Sequence, residues 1–390
     1  MHLKRCLPYV AAFTLICSAA NAEDSMFGYI GTYNPKGEGV YLVEMNPQTG
    51  LLTKKRIVSE LPNPAQLVLN KQSTVLYVAS EVANFQGGKN GSITALKVDR
   101  KTGDLKQINQ VDAKGAGPVY LATTKDDSLV FVANYQSGSI AVFPTGKDGK
   151  LEAETFVFQS KGLPGSAKPE AAVEGSFAFS DHDGPHAHMI NIDPSGKYAF
   201  STDLGLDRIY QWKVDAKTRT LVANDPAYID ASSKGGGPRH FVFHANNKFF
   251  YLINEEASTI TFYEISDKGT LTEKQSLSSL PKNYKGTAYA SGISISPDSR
   301  FIYAVNRLHN SISVFAITED GYLKLIQNTW TRGDYPRTIA LSPNGKYLYA
   351  LNQRSDNITT FEVDTQTGNL KFTDQFTAIP APSQMVFLPN

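Results

Sequence analysis

The side chains with the widest chemical reach in this sequence are His188, Arg239, Glu255 and Arg307, with Arg337, Glu81, His186 and His240 at related positions. An imidazole or a carboxylate accepts a proton, and a guanidinium is a fixed positive donor for charge that develops during a reaction. A second chemistry lies in Ser180-Asp-His-Asp-Gly-Pro-His-Ala-His188, where His182, His186 and His188 have a spacing that suits a zinc ion. Solvated loop histidines are the simpler reading of that run, so no cofactor is required and a divalent metal stands as an alternative. Asn and Asp residues at strand ends offer calcium ligands, against the simpler role of capping backbone groups. A serine nucleophile is excluded, because no Gly-x-Ser-x-Gly occurs between a suitable strand and helix.

These residues are positioned by a repeat. Seven strands end in a small polar residue followed by a variable one: Thr32-Tyr33, Ser80-Glu81, Asn134-Tyr135, Asp203-Leu204, Asn254-Glu255, Asn306-Arg307 and Asn352-Gln353. The clearest pair of units is Ile293-Ser-Ile-Ser-Pro-Asp-Ser-Arg-Phe-Ile-Tyr-Ala-Val-Asn306 and Ile339-Ala-Leu-Ser-Pro-Asn-Gly-Lys-Tyr-Leu-Tyr-Ala-Leu-Asn352. Each reads strand, turn, strand. A third strand follows, as in Ser311-Ile-Ser-Val-Phe315, then a Gly turn such as Thr367-Gly368-Asn369-Leu370, and a fourth strand.

The residue six before each polar ending is Met26, Thr74, Ser128, Lys197, Lys248, Arg300 and Lys346, at separations of 48, 54, 69, 51, 52 and 46 residues. Four-stranded units at that spacing, with no sustained helical periodicity, predict an all-β, seven-bladed β-propeller. The first unit lacks its opening strand, and the chain ends on Pro382-Ser-Gln-Met-Val-Phe-Leu388, an opening strand without the rest. Pairing this C-terminal strand with the N-terminal blade closes the ring and removes a free sheet edge. The longest gap carries a Gly-, Ser-, Ala- and Pro-rich insertion around Gly162 to Gly184, expected as a loop. Trp212 and Trp330 are expected to pack in the core or between blades.

In a blade the first and second strands run antiparallel, so the start of one meets the end of the other at one face. Counting nine back from each mark gives a second ring of positions, Ala65, Val119, His188, Arg239, Ser291 and Arg337, with Ser383 from the tail. One channel mouth is therefore expected to gather His188, Arg239, Arg337, Glu255, Arg307 and Glu81, with His186 and His240 near. Charges of both signs in a cavity are costly unless they pair or bind something.

Composition narrows the partners. His2, Lys4 and Arg5, the apolar stretch Val10 to Cys17 and Ala20-Asn21-Ala22 have the form of a secretory signal peptide over 1–22, too short to span a bilayer. A single domain over 23–390 and a periplasmic location are expected, and removing the first 22 of 390 residues leaves 368. Cys6 and Cys17 both lie in the leader, so the remainder has no thiol for a disulfide, a thiolate site or a nucleophile. Without Lys4 and Arg5 the 38 basic residues become 36 against 37 acidic ones, which gives no electrostatic footprint for nucleic acid or anionic lipid. A small-molecule partner, a monomer and no membrane attachment after cleavage are expected.

Gly184-Pro-His-Ala-His188 with Asp193-Pro-Ser-Gly-Lys-Tyr198, Gly237-Pro-Arg-His240 with Asn254-Glu255, and Val305-Asn-Arg-Leu-His-Asn-Ser-Ile312 resemble the seven-bladed lactonase family across essentially the whole chain after the leader. That family includes the propeller type of 6-phosphogluconolactonase and the fungal carboxymuconate cyclase. The resemblance places its proposed active His, two Arg and Glu on His188, Arg239, Arg307 and Glu255. His186 competes for the first role, since two residues along a strand point to one face. It implies lactone hydrolysis, with Glu255 or His188 as base and Arg239 and Arg307 on the oxyanion. His186, His240, Arg337, Asn254, Asn306 and Glu81 would then hold substrate. The leader separates this chain from cytoplasmic members that meet phosphorylated lactones or muconate intermediates, and so favours D-glucono-1,5-lactone. A 6-phosphogluconolactonase or muconate-type cyclase is the alternative within the family. A non-catalytic periplasmic binding propeller is the alternative of another class, which predicts neutral or scattered side chains at the mouth. A quinone-dependent propeller is disfavoured by the presence of two tryptophans.

Overall fold

The second strand of each unit is a continuous apolar run, as in Leu129-Val-Phe-Val-Ala133 or Phe249-Phe-Tyr-Leu-Ile253. A strand of that kind is stable only where both faces of its sheet are covered. Packing the units against one another in a ring achieves this. The computed structural model describes residues 25–172, 175, 177 and 182–389, and its 28 strands form seven four-stranded antiparallel sheets. Blades 2 to 7 span residues 64–112, 118–159, 187–230, 238–278, 289–330 and 336–378. Among the described residues the one helical segment is the single 3-10 turn Phe85–Gly87. The predicted leader lies outside the described residues.

Blade 1 is closed from both ends of the chain. Pro382–Phe387 pairs antiparallel with Met26–Thr32, setting Gly28 opposite Phe387 and Gly31 opposite Gln384. The approach is close at Gly31, where a Cβ would lie 2.3 Å from the Pro64 carbonyl oxygen and 2.5 Å from Ser383 Oγ.

The core is a set of apolar layers between neighbouring blades. One layer joins Met26, Ile30 and Val43 of blade 1 to Tyr349, Leu351 and Ile358 of blade 7. Buried tyrosines fasten successive blades: Tyr29 donates to the Gly103 carbonyl at 3.0 Å, Tyr77 to Gly149 at 2.9 Å, Tyr251 to Gly321 at 2.9 Å and Tyr349 to Gly50 at 2.8 Å. Each acceptor belongs to the Gly turn of the next blade, so the turn motif closes its own hairpin and docks its neighbour. Trp212 is buried and donates from Nε1 to Ser201 Oγ at 2.9 Å. Trp330 departs from its expected place: it is 55% exposed on an outermost strand, beneath the Arg332 guanidinium. Among the described residues that strand has no neighbour on its outer edge and no further layer covers the indole.

Candidate active site

The first strand of each blade carries an irregularity at one place. Pairing runs from Pro238–Asn254 directly to His240–Ile253, leaving Arg239 as the extra residue of a β-bulge. The same slip leaves Ala65 in blade 2, Val119 in blade 3, His188 in blade 4, Arg337 in blade 7 and Ser383 in blade 1 without a partner. In blade 6 the slip between Ala290 and Ile293 takes in Ser291. A bulge bends the strand and re-aims the extra side chain. Here it turns the predicted ring into the channel, where Ala65, Val119, His188, Arg239, Arg337 and Ser383 line a cavity of about 10 Å³, room for about one water. Residues such as Glu81 and Glu255 continue past the paired positions and form the layer above it.

Two ion clusters occupy this mouth. Glu255 Oε2 contacts Arg239 Nε and lies 2.8 Å from Arg307 Nη2. All three are buried, at 5%, 2% and 4% exposure. Arg239 Nη1 also donates to the Ser291 carbonyl at 2.7 Å, while Arg307 donates to the Tyr289 and Ala290 carbonyls and lies over the Tyr289 ring. The second cluster is looser. Arg337 Nη2 reaches Glu81 Oε2 at 3.4 Å, Tyr33 donates to the same oxygen at 2.5 Å, and the Arg337 guanidinium lies over the Tyr33 ring. Three guanidiniums against two carboxylates leave one positive charge in excess.

Burial would raise the Glu255 carboxyl, but Arg307 and Arg239 overcome it and hold the group below the usual carboxylate range. Burial pushes Arg239 down to about 10 despite Glu255, with Arg307 and Arg337 acting in the same direction as burial. His188 and His240 meet edge to face at 4.9 Å, and both are driven well below the ordinary imidazole value by burial and then by Arg239. Arg239 Nη1 lies 3.2 Å from His240 Nδ1, which must accept, so the ring proton sits on Nε2. His188 Nδ1 has no partner on another residue among the described residues. It is a buried imidazole at the channel wall, with Nδ1 turned to its own backbone and the cation disfavoured by burial and then by Arg239.

Other predicted site residues have different surroundings. His186 precedes its strand, stacks on Tyr135 and is held by the Tyr135 carbonyl at 3.0 Å and Asp183 at 2.7 Å. The strand begins at Ala187 and bulges at His188, which breaks the two-residue alternation that would have put both imidazoles on one face. His182 pairs with Asp207 at 3.2 Å. His182 and His186 thus take separate carboxylates while His188 packs against His240 and Tyr135, and among the described residues no group of three or more His, Asp or Glu side chains has a metal-holding arrangement. Asn254 Nδ2 donates to Thr259 and Thr261 and caps its own blade, while Asn306 Nδ2 donates to Ser311 and Ser313 of its own blade and to the Ser279 carbonyl on the chain leaving blade 5.

The structure also adds residues that sequence reasoning missed. Tyr289 and Tyr335 wall Arg307, with Arg307 Nη1 at 3.3 Å from the Tyr335 hydroxyl. Glu256, next to the predicted Glu255, is fully buried. The described part of the insertion packs on the mouth side of blades 4 and 5: Gly165 donates to the Gly205 carbonyl, Glu170 to that of Lys234, and Ala171 to Ser233 Oγ.

Residues 27–387 match the family described as "Lactonase, 7-bladed beta-propeller". The chain belongs to this family. The 6-phosphogluconolactonase of Bacillus subtilis strain 168 is 30% identical over 93% of this chain and 98% of that protein. The 6-phosphogluconolactonase of Formosa agariphila is 31% identical over 79% of this chain and 84% of that protein. Among solved structures, the periplasmic gluconolactonase PpgL of Pseudomonas aeruginosa superposes with a TM-score of 0.84 at 28% identity, covering 94% of this chain and 99% of that one. Membership implies a lactone hydrolase, and the propeller builds its charged mouth from five separate blades.

Proposed function

We propose that this protein is an exported lactonase that hydrolyses a sugar lactone, D-glucono-1,5-lactone, to gluconate. The observation that carries the reading is the convergence on one mouth of the His188 imidazole and two guanidiniums fixed by a shared carboxylate. His188 is the proton acceptor. Glu255, held ionised between two cations, orients Arg239 and Arg307 instead of taking a proton.

A water attacks the lactone carbonyl carbon while its proton passes to His188. The carbonyl oxygen becomes an oxyanion facing fixed guanidinium donors, which need no reorganisation as charge develops. Collapse breaks the ring C–O bond, and the departing alkoxide takes the proton back from His188. One water is consumed and one hydroxy acid formed. Arg337, Glu81 and His186 hold sugar hydroxyls at the mouth outside the one-water cavity, His240 supports Arg239 from below, and Asn254 and Asn306 act through the strands they cap. The leader-like N-terminus and the likeness to a periplasmic gluconolactonase support an unphosphorylated substrate outside the cytoplasm.

The excess positive charge, with Arg337 only loosely paired at 3.4 Å, favours 6-phosphogluconolactone as a second reading. A pH-stat assay of the mature protein on glucono-1,5-lactone, its 6-phosphate and a muconolactone, with and without chelator, separates these. Acid release above the spontaneous rate, fastest on glucono-1,5-lactone and insensitive to chelator, is expected. Fastest release from the phosphorylated lactone establishes the second reading, and no release from any of them identifies a binding propeller.

A further inference from the structure

Glu256 is fully buried, and neither of its carboxyl oxygens has a partner on another residue among the described residues. An ionised carboxylate left in that state would be severely destabilising. Its surroundings deepen the problem. Glu255 precedes it on the same turn, and Asp207 on the turn of blade 4 is held as an acceptor by the Gly235 and Gly237 amides at 2.6 and 3.0 Å. Both are negative neighbours. Arg307, at the end of the second strand of blade 6, is the opposing charge, but its Nη2 is committed to Glu255, while His182 from the insertion is committed to Asp207.

The group touches the segment that delivers Arg239. A Cβ on Gly237 would lie 1.4 Å from Glu256 Oε2, so the carboxyl rests directly on the Gly237 backbone, two residues before Arg239. Gly237 has φ +68, a left-handed conformation that glycine adopts freely. The Gly236 carbonyl accepts from the Glu256 and Ala257 amides at 3.2 Å each, and the Gly237 carbonyl from the Glu255 amide at 2.7 Å. The Gly235–Gly237 bend is therefore gripped from one side by Asp207 and from the other by the turn that bears both glutamates.

We propose that Glu256 is a positioning residue: as the neutral carboxylic acid it clamps the Gly235–Gly237 bend and so sets Arg239 against Glu255. Neutrality leaves Glu255 as the single anion shared by Arg239 and Arg307. Burial, followed by Glu255, pushes the Glu256 carboxyl well above the usual carboxylate range, in agreement with the geometry.

The test compares E256Q and E256A with the wild-type mature protein. Above about pH 5 the unfolded wild-type chain ionises at this position while the raised folded carboxyl keeps its proton, so as pH climbs toward the folded value wild-type stability falls relative to E256Q by up to about tenfold in the folding equilibrium per pH unit. Unfolding midpoints should show that widening gap, and a gap that stays constant with pH overturns the proposal. The inference about position rests on the lactonase reading. On the best lactone, E256A should lower kcat by about tenfold to a hundredfold with little change in KM, as expected for a donor displaced from the transition state. E256Q should restore most of it. E256A with wild-type kcat, or E256Q as impaired as E256A, overturns the positioning role. If the wild type hydrolyses no lactone, the functional reading fails while the unfolding comparison still decides the state of Glu256.

Discussion

Glu255 is surrounded by more positive charge than it can neutralise, and this sets the chemistry at the scale of single residues. Its ionised form fixes the directions of Arg239 and Arg307, while burial and then Arg239 depress the neighbouring imidazoles. A neutral His188 can act as base only above its own titration, which lies well below 6.5 because burial and Arg239 disfavour the cation. The profile of kcat/KM should therefore remain flat from pH 7.5 to 6.5 and fall only at lower pH; half the activity lost at 6.5 or above would contradict the assignment. His188→Asn should reduce kcat by about 10² to 10⁴, the range for loss of a general base, with KM for the lactone changed far less. The convergence of His188, Arg239, Glu255 and Arg307 on one mouth was legible in the sequence because they fall in two rings of equivalent repeat positions that meet at one face. Glu256 was not, because nothing in the pair Glu255-Glu256 tells which side chain enters the channel and which turns under Gly237.

At the scale of the strand, the device that builds the site is the bulge at the start of each first strand, and a one-dimensional pattern misses it. Alternation assigns His186 and His188 to one face, yet one extra residue in the ladder breaks that phase. The capping role of Asn254 and Asn306 was open to inspection: Thr259-x-Thr261 and Ser311-x-Ser313 place two hydroxyls on one face of the neighbouring strand, where a single amide reaches both. The tyrosine walls of Arg307 were hidden because Tyr289 and Tyr335 come from loops and strand starts of two blades with no fixed spacing to it. Between blades, Tyr251→Phe removes the donor to the buried Gly321 carbonyl. Chemical denaturation should show a loss of about 1 to 3 kcal/mol, the cost of an unsatisfied buried acceptor, with turnover per folded molecule unchanged. An unaltered midpoint would mean that the tyrosine does not fasten these blades.

At the scale of the whole molecule, the seven-fold ring was the most legible feature, since repeat spacing and an opening strand stranded at the C-terminus require closure. Closure matters to the site as well as to stability. The tail brings Ser383 into the channel ring and buries Met385 and Phe387 between blades 1 and 7. A protein lacking residues 382–390 exposes the edge of Met26–Thr32, and should lose its cooperative thermal transition and associate on size-exclusion chromatography. A sharp transition with an unchanged elution volume would show that the ring holds without its closing strand. The ring also explains why residues more than a hundred positions apart, Glu81, His188 and Arg337, lie in one place. The most direct measurement of that common action is the initial rate of acid release from the preferred lactone by the wild type, Arg239→Ala and Glu255→Gln in a pH-stat. The mouth described above predicts that each substitution lowers kcat/KM by about 10² to 10³, as for loss of an oxyanion donor or its anchor, in proteins that remain folded. Wild-type rates from both variants would contradict it.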